Sequence, residues 1–567
     1  MEENKEETPV ENLEEKQEKI QPEETPKEEQ PVETLTEENK QPEQKKKKSK
    51  TAVIIGVVCI VIALLGIAAV VAFVTLRGNT NKEKAKVDKP VTASPYQLSG
   101  NGLENFDLYF MQLENNKKNM VYSPLSIKYA LAMLNAGTDG TTHEQIESVI
   151  GDYKAKKYPN NEHMSFANAL YIRDSFKKQV KEDYVKTLKD SYGAEVMIDP
   201  FTSPDSMNTW ISNKTFHLIE NMLDDSVSEY DFFIINALAI DMNWNFQLQC
   251  ETTEARRDGK LQCKYYSVDY KHEKYSDYVK DLDDNPGRYD SIDFNGKKVK
   301  ATEIGASINN YDIIKDLGED TIRKTVGDKL KEYMDNGGEM CDYSYDEFMD
   351  KYMKEIGENY KQVDSSTDFY LYDSSELKAF AKDLQTYDNM TLQYVAVMPK
   401  EASLDAYIKD LDAKSLNNII NNLKDIKLEN FKEGTITKIR GHIPLFKYEY
   451  DLKLMEDLQK LGIEDVFDIN KADLSKLIEQ TNAKEREYIA KADHKANIEF
   501  SNDGIKASAV TVFGGRGSSS CPMFDYEFDV PVETIDITFN KPYMYIIRDK
   551  DSGEVWFAGT VYEPTES

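Results

Sequence analysis

Residues 501–527 read SNDGIKASAVTVFGGRGSSSCPMFDYE. Ile505, Ala507, Ala509 and Thr511 share one face of a period-two pattern, and Lys506, Ser508, Val510 and Val512 share the other. That is strand spacing. The pattern then runs into Gly514-Gly515-Arg516-Gly517-Ser518-Ser519-Ser520, a run that can bury little and is costly to order. A strand with a small inward face leads straight into a solvated loop.

The chain around it has 567 residues, 40% of them hydrophobic and 11% aromatic, enough for a large core. A net charge of −31 argues against nucleic acid as a partner. Residues 1–50 carry 16 Glu and 10 Lys with few apolar side chains; such a stretch cannot offset its ordering entropy and reads as a disordered tail. Residues 52–76, AVIIGVVCIVIALLGIAAVVAFVTL, hold no charge. As a helix they cover about 37 Å, more than a ~30 Å hydrocarbon core. A single transmembrane helix is expected within 51–77, starting too far from Met1 for a cleaved signal peptide. The lysines at 45–48 and 50 place the tail on the cytoplasmic side. Residues 78–98 then form a stalk, and 99–567 form an extracellular domain. Five cysteines, with Cys59 inside the apolar span, make no disulfide framework. So few in an exported domain suit a bacterial surface protein.

Within 99–567 helical and strand signals mix without a repeat. Ser123-Pro124 opens a helical pattern through Leu125, Tyr129, Leu131, Met133 and Leu134 that Gly137 ends. FANALYI, DFFIINALAI and TLQYVAVM are short apolar runs, and YMYIIRDKDSGEVWFAGTVYE reads as a hairpin turning at Asp551-Ser552-Gly553. Residues 307 to about 362 stand apart as a charged helical hairpin. Its apolar stripes are narrow, predicting a lightly packed surface insertion that the domain's activity does not need.

Catalytic chemistry is not announced. None of the six histidines sits in a metal-binding spacing, no CxxC occurs, and GGRGSSS lacks a phosphate loop's lysine and frame. No metal or cofactor is expected, nor enzymatic activity.

The ordered blocks resemble the serpin family over nearly the whole of 99–567. They are NMVYSPLSIKYALAMLNAGTDGTTHEQI, FANALYI, YGAEVMIDPF, MNTWISNKT, INALAIDMNW, IPLFKYEYDLKLMEDLQKLGIEDVFDINKADLS, HKANIEF, FNKPYMYIIRD and FAGTVYEP. The mixture of elements is α+β, and the resemblance implies three β-sheets, about eight or nine helices and an exposed reactive loop. It further implies a monomeric inhibitor of serine or papain-like cysteine proteases that is consumed as a suicide substrate. Gly504, Ile505, Ala507, Ala509 and Thr511 would be the hinge that inserts as a new strand after cleavage. Ser123, Ser126, Asn236 and His494 would form the shutter beneath the main sheet. Counting from Gly504 puts the cleaved bond between Ser518 and Ser519, with Arg516–Gly517 as the alternative. The chain departs from the family pattern at Asp241 and Met242, at bulky Ile505 and at Lys506. The competing reading is a non-inhibitory serpin-fold surface module for binding or adhesion.

Overall fold

Ser123 caps a helix, its Oγ accepting from the Ser126 amide at 3.1 Å, and Pro124 takes the first helical position. The resulting α1 (Pro124–Asn135) buries 11 of its 12 residues. A helix buried all round belongs inside a domain rather than on its surface, and α1 runs beneath the main sheet.

The computed structural model describes residues 91–564, apart from 247, 249–250, 256–260, 265–291, 339–342, 366–367, 480–486, 503 and 506–527; side chains at 251–255, 261–264 and 359 are likewise outside the description. The expected tail, membrane span and most of the stalk therefore lie outside the described residues. No described helix is long and apolar enough to cross a membrane.

A seven-stranded sheet contains Tyr543–Asp549 paired with Val555–Val561, the expected hairpin, with Gly553 at φ +76° in its turn. A second, four-stranded sheet runs β6–β5–β7–β11, where β5 is Ala301–Asn310, β6 Lys361–Ser365, β7 Thr435–Pro444 and β11 Val532–Asp536.

The third sheet is in two parts. One orders β2 (Glu195–Asp199), β1 (Met164–Arg173) and β3 (Phe232–Ile240). The other orders β8 (Phe446–Lys453), β9 (Asp493–Phe500), β10 (Gly504–Ile505) and β4 (Met242–Asn243). The expectation of three sheets is thus modified: β3 and β9 point the same way but do not pair along their described length. Two short two-stranded ladders complete the set. The large core cluster lies under the inner face, with Leu238, Ile240, Ala496 and Ile498. Helix α2 (Asp205–Lys214) covers the outer face, packing Met207, Trp210 and Ile211 over Ala167, Ile235 and Ala237.

Eleven α-helices lie among the described residues. Three of them, α3 (Ile313–Leu317), α4 (Glu319–Asp335) and α5 (Tyr345–Asn359), make the insertion. Residues 307–310 and 361–362 at the edges of the expected hairpin are strand. The expected light packing is overturned. Ile313, Ile322, Val326, Met349, Met353 and Ile356 form a buried cluster with Ile436, Phe528, Val530 and Val532. The apolar stripe is narrow, yet it is fully used against residues far along the chain, which a local pattern cannot reveal.

Candidate functional site

The site is the lane between β3 and β9. Its upper end is closed by β10, which pairs antiparallel on both sides: Ile505 with Phe500 on β9 and with Met242 on β4. Two ladder spacings therefore separate the flanking strands there, ~9.5 Å by ordinary sheet geometry. Below β10 no described strand lies between β3 and β9. A small gap between Leu238–Ile240 and Asn497–Glu499 begins directly beneath Ile505. A cavity of about 400 Å³ follows, bordered by Phe232–Leu238, Ala492–Ala496 and the underlying α1. Close packing is the rule in protein interiors, where voids larger than a water are few. A cavity of this size in the middle of a sheet is an unmet packing demand.

Local chemistry hooks the chain into the lane's top. Ser501 and Gly504 close a tight reversal: the Ser501 amide and hydroxyl both donate to Gly504 O at 3.0 Å. Trp244 Nε1 caps it by donating to Ser501 O at 3.0 Å. A Cβ at Gly504 would stand 2.1 Å from Met242 O and 2.7 Å from Asn243 Cα, so the close backbone approach demands glycine. Ile505 is 2% exposed and belongs to the main core. Its bulk, a departure from the family pattern, serves as a buried anchor at the first position of the lane.

Ser123, Ser126, Asn236 and His494 are brought together at the lane's floor. The Ser123 amide donates to His494 Nε2 at 2.9 Å, and Ser126 Oγ donates to Asn236 Oδ1. Sequence reasoning missed a fifth member. Asn168 stands directly opposite Asn236 across β1 and β3 and accepts from Asn236 Nδ2 at 2.7 Å, while its own amide donates to Tyr192 O. The signal was present: each strand carries one amide inside an apolar run, FANALYI and FFIINALAI, and a polar side chain there needs a partner. Of the remaining predicted residues, Ala507, Ala509, Thr511, Arg516, Gly517, Ser518 and Ser519 lie outside the described residues. Among the described residues no cluster of metal-ligating side chains occurs.

His494 lines the cavity and is half-buried, and desolvation holds its pKa down at about 4. His442 is held down to about 4 as well, by burial that Asp536 only partly opposes. A neutral imidazole at 494 is what the Ser123 amide requires as acceptor.

Among the described residues the sheet is open between β3 and β9 below the short β10. The family model described as Serpin (serine protease inhibitor) matches residues 105–258 and 357–564. Human glia-derived nexin is 21% identical over 468 residues, covering 79% of this chain and 88% of that protein. Intracellular coagulation inhibitor 2 of Tachypleus tridentatus is 21% identical, covering 80% and 87%. Among solved structures, the native state of the thermophilic serpin tengpin superposes with TM-score 0.52 at 22% identity, covering 83% of this chain and 97% of that one. The chain belongs to the serpin family, a family of protease inhibitors whose partner class is a protease.

The depressed histidines make a pH prediction. Unfolded imidazoles titrate near 6.5, so between pH 6.5 and 4 the unfolded chain binds more protons than the folded one. Stability should be fully present above pH 6.5 and fall as pH drops toward 4, by up to ~3 kcal/mol per histidine. His494→Gln keeps an acceptor for the Ser123 amide and removes that titration. Its melting temperature should fall about half as steeply as the parent's across this window, the remainder belonging to His442. Parallel melting curves for the two proteins would contradict a neutral His494 in the folded chain.

Proposed function

We propose that this chain is a membrane-tethered protease inhibitor that acts as a suicide substrate. A target protease attacks the 506–527 segment, and the freed hinge fills the lane as a new central strand. The chemistry is the protease's own: its nucleophile forms the acyl-enzyme, and insertion deforms the enzyme before water can release it. The observation that carries this reading is the continuity of the lane with β10. Extending the two β10 ladders sets Ala507 between Ile240 and Ile498, Ala509 between Leu238 and Ala496, and Thr511 between Asn236 and His494. The small inward face meets the core, and the one hydroxyl meets the polar floor. Each added ladder bond contributes about 1 kcal/mol net, with burial in addition.

The preferred cleavage is Ser518–Ser519, suiting elastase-like or subtilisin-like enzymes; a papain-like target fits the same small residue. Arg516–Gly517 would suit a trypsin-like enzyme. A serpin-fold adhesion module that never inserts its loop is the competing reading.

Ala509→Glu tests the mechanism. The sequence predicts a solvated loop at 509 in the intact chain, where a carboxylate costs almost nothing. After cleavage it would be forced between Leu238 and Ala496, both buried, at a cost of several kcal/mol. Insertion competes with deacylation, so a barrier raised by one or two kcal/mol turns trapping into turnover. The variant should be cut as a plain substrate, whereas Lys506→Glu, on the opposite face, should still form gel-stable covalent complexes. Equal trapping by both variants sinks the face assignment, and no trapping by the parent with any protease in a broad panel favours the adhesion module.

The membrane tether rests on residues 52–76 and the preceding lysines. Protease shaving of intact cells should release the whole inhibitory domain. Release of the acidic tail alone would reverse the proposed orientation.

A further inference from the structure

Helices α3 and α4 and most of α5 lie outside both segments matched by the serpin family model, which leave out residues 259–356, while the end of α5 and Tyr360 fall inside the second segment. It leaves the second sheet after Asn310 and returns at Lys361, which is Asn310's partner in the β5–β6 ladder. Asn310 also faces Thr435, the first residue of β7, and Val532 pairs with Ile436 one residue further along. The insertion therefore stands at the end of the sheet where the chain re-enters the fold after residue 527.

Contact there is specific. The buried Phe528 amide donates to Tyr360 Oη at 3.0 Å, and the two rings meet edge to face with centroids 6.4 Å apart. Tyr360 O in turn accepts from the Tyr311 amide at 2.9 Å, tying the base of the helices together. Val530 is 1% exposed and Val532 9%, in one cluster with Ile322, Val326, Met353 and Ile356. Phe528 is the first described residue after the 506–527 segment, and Ile505 is the last before it.

Chain geometry makes this second end decisive. The lane from Asp241 down to Phe232 offers ten positions to residues 506–515 if the β10 register continues. In an uncut chain, each residue that enters moves the trailing end ~3.3 Å away and removes ~3.3 Å of tether. Ten inserted residues descend ~33 Å and leave twelve, which fully stretched reach ~40 Å. Even with Ile505 and Phe528 side by side, filling the lane would consume nearly all the slack. Complete insertion without cleavage therefore pulls on Phe528–Val532.

We infer that the insertion is the anchor of the loop's C-terminal end: Tyr360 and the apolar stripe of α4 and α5 position Phe528–Val532 and hold the lane open until a protease cuts the chain. Tyr360 is a positioning residue, and the inference rests on the inhibitor reading for its purpose, though not for its test.

The test follows uncleaved protein over time at physiological temperature, recording mass, melting temperature and trapping capacity. Tyr360→Phe removes one buried hydrogen bond, and Met353→Ala trims the cluster; Leu416→Ala, in the main core, is the packing control. The first two variants should convert roughly tenfold faster than the parent, as expected for one lost interaction, into an uncleaved form that melts higher than the starting protein. The control should melt lower and convert no faster. If Tyr360→Phe and Met353→Ala only lower the melting temperature, as the control does, the insertion is ordinary packing and the inference fails. Faster conversion in a parent background that traps no protease would keep the anchor and remove the inhibitor reading. Normal trapping by the parent with unchanged conversion in both variants would remove the anchor alone.

Discussion

The rest of the structure depends on one missing strand. β3 and β9 lie parallel and, among the described residues, are bridged by Gly504 and Ile505 at the top alone. Everything that makes the site unusual follows from that absence: the cavity over α1, polar side chains meeting at its floor, and a backbone approach that only glycine permits. A folded chain normally closes such a gap, because buried apolar surface and ladder hydrogen bonds are its main sources of stability. In the proposed mechanism the material that would fill it is the chain's own segment after Ile505, admitted once a protease has cut the chain. The proposed function is the release of that constraint by someone else's catalytic residue.

The segment is held from both sides by different means. On the near side Ile505 is sunk into the main core, so the first rung of the ladder is already formed and insertion needs no fresh nucleation there. On the far side Phe528–Val532 are gripped by an insertion most of which lies outside the family match. In the proposed mechanism the two ends favour opposite outcomes, one starting the strand and the other stopping it from being completed. A protease that separates them removes the opposition without altering either contact.

Much of this was legible in the sequence. Ser123-Pro124 gave a capped helix because side-chain acceptor and fixed φ act within one turn. The alternation from Ile505 to Thr511 predicts a strand with a small inner face, of which Gly504–Ile505 is strand and 506–511 lie outside the described residues. The grouping of Ser123, Ser126, Asn236 and His494 came through family resemblance; no local rule joins residues 371 positions apart. Asn168 was missed although its apolar surroundings demanded a partner, because its contact with Asn236 is set by strand register. The packing of the insertion was misjudged for a related reason. Ile322 and Val326 look like a thin stripe until Phe528 and Val530 arrive from the far end of the chain. Propensity and periodicity describe an element, whereas its burial depends on what the topology brings to it.

The central claim is that the uncut protein is under-packed and that cleavage lets it complete its sheet. The most direct measurement compares melting temperature before and after a single cut between residues 506 and 527, made with a protease that is not trapped. The account predicts that the nicked protein melts well above the intact one, because the hinge has entered the lane and gained ladder bonds and burial on both sides. A nicked protein that melts at the same temperature or lower would show that the lane stays empty, and the account would fail.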